Sequence, residues 1–142
     1  MNITQETDYA IRAVLCLTVA GEGKILEARV ISERQSIPMR FLLKLLRKLK
    51  SAGIVKSYRG VKGGYSLGRA PENITLKDVI EAVEGPICIN RCTYSPQECN
   101  ANKNGKCAVH HALMGVQKKL IRELEEVNFK KLKEETDMNC YR

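Results

Sequence analysis

The sequence predicts a mainly α-helical fold with a small β-hairpin: a winged helix-turn-helix domain followed by a long helix. Three observations carry that prediction. Two short helical segments meet at Ser36–Pro38, and the second of them, Met39 to Ala52, has one apolar face and one cationic face. Two strand-like runs flank the turn Gly60–Gly64. Finally, Val109, Leu113, Val116, Leu120, Leu124 and Val127 recur at spacings of four, three, four, four and three residues, which marks a helix of about 25 residues near the end of the chain.

In chain order, Ala10, Ala13, Val14 and Leu17 repeat at helical spacing behind Thr4, a good N-cap, and Gly21 and Gly23 end that first helix. A second helix covers Glu27 to Gln35, with Val30 and Ile31 inward, and Ser36–Pro38 breaks it. In the third, Phe41, Leu42, Leu45, Leu46 and Leu49 face the core and Arg40, Lys44, Arg47, Lys48 and Lys50 lie opposite. A cationic face is ordinarily a solvated one. After a short helix and a tight turn, however, it sits where a recognition helix enters the major groove.

Gly53 closes this helix, and β-branched and aromatic residues from Ile54 to Arg59 predict a strand. Tyr65 to Leu67 returns as its partner, so Arg59 and Lys62 fall near the tip of a wing. There a guanidinium is drawn by the narrow minor groove. Thr75 and Asp78 have capping-box spacing before Leu76, Val79, Ile80 and Val83, and Gly85-Pro86 stops that helix. The chain thus divides into a DNA-binding domain over 1–85, a cysteine-rich loop over 86–108, a dimerisation helix over 109–135 and a tail over 136–142. The long stripe predicts a homodimer, because a small domain cannot cover it; folding back onto its own domain is the alternative.

Composition agrees with one domain of 142 residues and an aliphatic core, since aromatic residues make up 5% and Trp is absent. The net charge of +8 resides in residues 1–70, with 13 basic and 5 acidic side chains, whereas 71–142 hold 11 of each. The anion-binding surface therefore belongs to the first half. No run reaches the roughly 18 apolar residues of a membrane span, and the amino-terminal MNITQETDYA lacks signal-peptide layout. A cytoplasmic protein is expected. No glycine-rich phosphate loop, paired-carboxylate motif or Ser-His-Asp set is present, so the chain is not expected to be an enzyme.

Six cysteines remain: Cys16, Cys88, Cys92, Cys99, Cys107 and Cys140. In a reducing compartment metal ligation is favoured over disulfides. Six residues separate Cys92 from Cys99 and seven separate Cys99 from Cys107, and His110 follows Cys107 by three, on the same helix face; His111 points about 100° away. The tight knuckle of structural zinc is missing, which favours an iron–sulfur cluster and leaves zinc as the alternative. Cys16 lies in an apolar stripe, Cys140 in the polar tail, and Cys88, four residues before Cys92, is open as a spare ligand, a resolving thiol or neither.

Thr7-Asp8-Tyr9-Ala10-Ile11-Arg12-Ala13, Phe41-Leu42 with Leu49, Ala52-Gly53-Ile54-Val55, Arg59-Gly60 followed by Gly63-Gly64-Tyr65-Ser66-Leu67, and Ile74-Thr75-Leu76 through Glu84-Gly85 together resemble the Rrf-type winged-helix transcription regulators, the group with IscR-, NsrR- and CymR-like members. The resemblance covers nearly the whole chain. It implies a homodimeric repressor of double-stranded DNA operators, with a cluster in the loop before the dimer helix that senses iron–sulfur or redox status. In the IscR-like pattern a 2Fe-2S cluster is held by three Cys and a His, matched by Cys92, Cys99, Cys107 and His110. In the NsrR-like pattern, which senses nitric oxide, a 4Fe-4S cluster takes three Cys and an Asp of the partner's first helix, the position of Asp8. The cysteine spacings here are longer than the IscR-like ones, and Cys88 is additional. Arg40, Lys44, Arg47 and Lys48 would then meet the major groove, and Arg59 and Lys62 the minor groove.

Overall fold

Helix α1 (Gln5–Ala20) runs through the middle of the molecule, and a computed structural model of the chain describes residues 2–101 and 107–136. Its second half is apolar on every side, so Ala13, Val14, Leu15, Cys16, Leu17 and Thr18 are all buried and need covering all round. Helices α2 (Ala28–Gln35) and α3 (Met39–Ser51) supply Ile31, Leu42, Leu45, Leu46 and Leu49 to that core. Helix α4 (Leu76–Glu84) supplies Val79 and Val83. The core is aliphatic as composition predicted, and Phe129 is the one large aromatic side chain fully buried among the described residues.

The amino-terminal end of α1 is tied to the carboxy-terminal end of α4. Thr4 caps α1 by accepting from the Thr7 amide at 3.2 Å. Glu84 Oε1 in turn accepts from the Thr4 hydroxyl at 2.6 Å, the Thr7 hydroxyl at 2.7 Å and the Thr4 amide at 3.2 Å. The hydroxyl of Thr4, ahead of that of Thr7, holds the Glu84 carboxyl below its ordinary value.

Between α2 and α3, Ser36 takes a left-handed conformation, with φ 51° and ψ 46°. The Ser32 hydroxyl donates to the Ile37 carbonyl at 2.6 Å, and buried Ile37 pins the turn to the core. Strands β1 (Val55–Tyr58) and β2 (Gly64–Leu67) form the antiparallel hairpin, with Val55 opposite Leu67 and Tyr58 opposite Gly64. The pre-α2 segment adds to its edge: Leu26 donates to Tyr65 at 2.9 Å and accepts from it at 2.8 Å. Gly64 has φ 155°, and a Cβ there would collide with the Leu26 backbone, so the wing docks this closely only with glycine. The predicted capping box of α4 is present: Thr75 accepts from the Asp78 amide and Asp78 from the Thr75 amide.

Two features differ from the sequence expectation. The loop after Gly85 contains one helical turn, α5 (Arg91–Tyr94), and a 3-10 turn at Pro96–Glu98. The single helix expected over 109–135 is two helices, α6 (Ala108–Glu126) and α7 (Phe129–Glu135). Asn128 makes the break, because its side chain accepts from the Lys131 amide at 2.9 Å and starts α7 afresh. The flanking backbone bonds the wing's exit: Leu76 donates to Val127 at 2.9 Å and Phe129 to Ile74 at 3.0 Å. Phe129 thereby enters the core and α7 packs on α1. Helix α6 behaves oppositely. Gln117 is its one buried residue, while Val109 and Val116 are 63% and 56% exposed. Cys140 and the rest of the tail after Thr136 lie outside the described residues.

Replacing Phe129 by Ala should lower unfolding free energy by about 3–5 kcal/mol, read from urea denaturation, since it opens a cavity against α1. Glu84 gives a pH signature. Its folded pKa is depressed, so its contribution to stability is fully present above the ordinary value and is lost as pH falls from there through the lower folded value. The melting-temperature gap between the wild-type chain and Glu84→Gln should therefore be largest near neutrality and narrow progressively as pH falls below the ordinary carboxylate range and through the depressed folded value.

Candidate nucleic-acid interface and metal centre

Helix α3 buries Leu42, Leu45, Leu46 and Leu49 as one stripe, which fixes the opposite face outward. Arg40, Leu43, Lys44 and Arg47 are exposed there, and Lys48 is half-buried at the flank. The cations are not equivalent. Lys44 Nζ lies 3.1 Å from Glu6 Oε1, and Lys48 Nζ lies 3.8 Å from Glu6 Oε2 while donating to the Val83 carbonyl at 3.2 Å. Arg40 instead lies over its neighbour Phe41, 4.8 Å from the ring centroid. Among the described residues no ion pair engages Arg40 or Arg47. Leu43, at 42% exposure between the two arginines, is an apolar element of this face that counting charges passes over.

Arg59 and Lys62 are exposed at the tip of the wing, as predicted, with Val61 fully exposed between them. The recognition helix and the wing thus present a cationic surface carried by elements whose other faces are locked in the core.

The cysteine loop starts at Ile87, which is buried, and is tethered by Gln117 of α6, whose Oε1 accepts from the Ile89 amide at 3.1 Å. Cys92 and Cys99 line one open pocket of about 280 Å³, together with Asn90, Arg91, Glu98, Asn100 and Ala101. Asn90 organises it: its Oδ1 accepts from the Arg91 amide at 2.9 Å and its Nδ2 donates to Cys92 Sγ at 3.3 Å. The Cys88 thiol donates to the Asn90 carbonyl at 2.8 Å and lies 2.8 Å from the Thr93 hydroxyl. Asn90, Thr93 and Gln117 escaped the sequence reading; the N-cap preference of Asn was the available signal for the first.

Cys107 occupies the N-cap position of α6, and His110 sits in its first turn, half-buried, with His111 exposed beside it. The two imidazole rings are 5.8 Å apart and edge-on. Residues 102–106, which join Cys99 to Cys107, lie outside the described residues. Among the described residues, no three His, Cys, Asp or Glu side chains converge at metal-binding range. The structure brings Cys92 and Cys99 to one pocket, whose lining includes neither Cys107 nor His110. In donor chemistry the half-buried free thiols of Cys92, Cys99 and Cys107 suit iron or zinc. Cys16 is apart from all of them, buried in α1, where burial raises its thiol pKa.

Asp8 is 58% exposed on α1 and pairs with Arg12 one turn on, with Oδ2 3.2 Å from Nε, off the direction of a well-formed hydrogen bond. Arg12 Nη1 donates to the Gln35 carbonyl at 3.1 Å, at the end of α2, and its guanidinium lies 4.9 Å from the Tyr9 ring. The candidate ligand Asp8 is thus one side chain away from the helix-turn-helix corner.

A largely aliphatic helical core, a helix-turn-helix with a cationic outer face and a basic wing define a winged-helix transcription regulator. Comparison with known proteins narrows the class. The Rrf2 family, described as "Iron-dependent Transcriptional regulator", matches residues 3–135, and the chain belongs to that family. The HTH-type transcriptional regulator IscR of Aliivibrio salmonicida is 34% identical over 110 residues, covering 78% of this chain and 64% of its own length. IscR of Escherichia coli O1:K1 / APEC is 36% identical over 92 residues, 65% of this chain and 57% of that protein. For several relatives the matched part of the chain spans little more than half their length, 57% and 54% in two cases. Among solved structures, CymR, the global cysteine regulator of B. subtilis, superposes with a TM-score of 0.78 at 25% identity, covering 96% of this chain and 99% of that one. IscR of T. potens superposes at 0.75 over 98% of this chain and 90% of its own; at 23% identity it shares the fold. No helix among the described residues is long and apolar enough to cross a membrane.

Proposed function

We propose that this chain is a homodimeric, sequence-specific repressor of double-stranded DNA whose operator affinity is set by an iron–sulfur cluster in the loop between the winged domain and α6. The observation that carries the reading is the shared pocket of Cys92 and Cys99, in the loop that joins the cationic winged domain to α6, where Val109 and Val116 are exposed. Cys92, Cys99, Cys107 and His110 are the proposed ligands. When bound, an iron–sulfur centre supplies a reversible response to oxidant, nitric oxide or iron supply. What the chain itself does is couple the loop to the DNA surface. Gln117 holds the loop start to α6, and α6 joins the core through Val127 and Phe129. A second copy covers Val109, Leu113, Val116 and Leu120, and so sets two recognition helices at the spacing of a two-fold operator.

Arg40 and Arg47 are the proposed major-groove contacts, with Leu43 between them; Lys44 and Lys48, expected there from the sequence, are instead engaged by Glu6, and Arg59 and Lys62 reach the minor groove from the wing. Only a difference in affinity between loop states can switch such binding. A second ligand set is favoured by Asp8: it is exposed on α1, and its partner Arg12 bonds the helix-turn-helix corner at Gln35. In that arrangement a four-iron cluster takes Asp8 from the second copy in place of His110.

Purified without oxygen, the chain should be brown, with iron and acid-labile sulfide in near-equal amounts; a colourless zinc protein would sink the cluster reading. Cluster retention should fall several-fold in His110→Ala and be unchanged in Asp8→Ala, and the reverse pattern assigns the four-iron arrangement. Arg59→Ala should weaken operator binding by roughly 5- to 100-fold in a mobility shift, as loss of a groove-bound guanidinium. Unchanged binding removes the wing from the mechanism.

A further inference from the structure

The recognition helix carries more positive charge than it presents. Glu6 stands in the first turn of α1, 35% exposed, with its two carboxylate oxygens divided between Lys44 and Lys48 of α3. Lys48 is held from a second side by the Val83 carbonyl of α4. Both ammonium groups are therefore drawn toward the α1–α4 side of the helix, whereas Arg40 and Arg47, on the face opposite the buried leucines, have no carboxylate partner among the described residues. A carboxylate beside the recognition helix does two things. It occupies the donors that would otherwise seek the nearest phosphates, and it adds a negative charge that repels them.

Phosphate contacts raise affinity for every sequence alike, and base contacts choose among sequences. We infer that Glu6 is a specificity-setting residue that acts through Lys44 and Lys48: it keeps them from non-specific phosphate contact and leaves base reading to Arg40, Leu43 and Arg47. The inference rests on the DNA-binding reading above and adds a residue that itself reads no base. Exposed ion pairs contribute little to folding, so Glu6 is poorly explained as a stabilising residue.

The test uses the full-length chain, a duplex of mixed sequence and a duplex selected from a random pool by the wild-type chain. Glu6→Gln should bind the mixed duplex several-fold more tightly at low salt, and its log–log salt slope should steepen by about one for each copy of the chain bound. The selected duplex should gain less, so the ratio of selected to mixed affinity falls. Adding Lys44→Gln to Glu6→Gln should remove most of the gain, since Lys48 remains held by the Val83 carbonyl. Lys44→Gln alone should leave the wild-type slope nearly unchanged, while Arg47→Gln reduces it; this comparison does not depend on how the Glu6 variant folds. An unchanged or shallower slope for Glu6→Gln, or a Lys44→Gln slope as reduced as that of Arg47→Gln, would overturn the assignment. Failure of the wild-type chain to bind either duplex overturns the DNA-binding reading and this one with it, and is recognised because no variant is then needed to see it.

Discussion

Six consecutive residues of α1, Ala13 through Thr18, are buried, so over this stretch the helix has no side left for solvent. Covering such a helix takes partners from every direction, and the rest of the chain is arranged to provide them. Helices α2 and α3 close on one side, α4 on another, and α7 comes back from the far end of the chain to complete the cover with Phe129. The outward faces follow from that requirement. Because Leu42, Leu45, Leu46 and Leu49 must point to α1 and its neighbours, Arg40, Leu43 and Arg47 must point away. The cationic surface is the back of the core.

Helix α6 stands outside this arrangement. It contributes one buried side chain, Gln117, whose polarity serves a loop amide and not the core. The molecule thus has a well-packed half that bears the positive charge and a half that bears thiols and an apolar stripe with Val109 and Val116 exposed. The two are joined at Thr75–Asn128 and at the contact of α4 with α6, which includes the Lys77–Glu125 ion pair at 3.2 Å.

What was legible in the sequence was local. The helix-turn-helix boundaries follow from Ser36–Pro38, the wing from β-branched residues around glycine, and the α4 capping box from Thr75 and Asp78, because each is decided within a few residues. The break at Asn128 was not read, although Asn before Phe129 is an N-cap signal: Val127 falls on the α6 stripe and carried the periodicity past the true end. The pairing of Glu6 with Lys44 and Lys48 could not be read, since it depends on α1 crossing α3 and not on spacing. At the cysteine loop, spacing identified the donors. It could not show that Cys92 and Cys99 share a pocket or that Asn90 orders it, because those placements rest on α5, a single turn too short to leave a period.

The return of α7 to α1 also bears on how the protein comes to be folded. Phe129 is needed to complete the core around residues that precede it by most of the chain's length, so the native contacts include some of very high sequence separation. Such contacts are slow to form and close a large loop. On the ribosome, α1 emerges with its buried half unprotected by α7 until α6 has also been made. The winged domain therefore reaches its final packing only after the whole cysteine loop has been made.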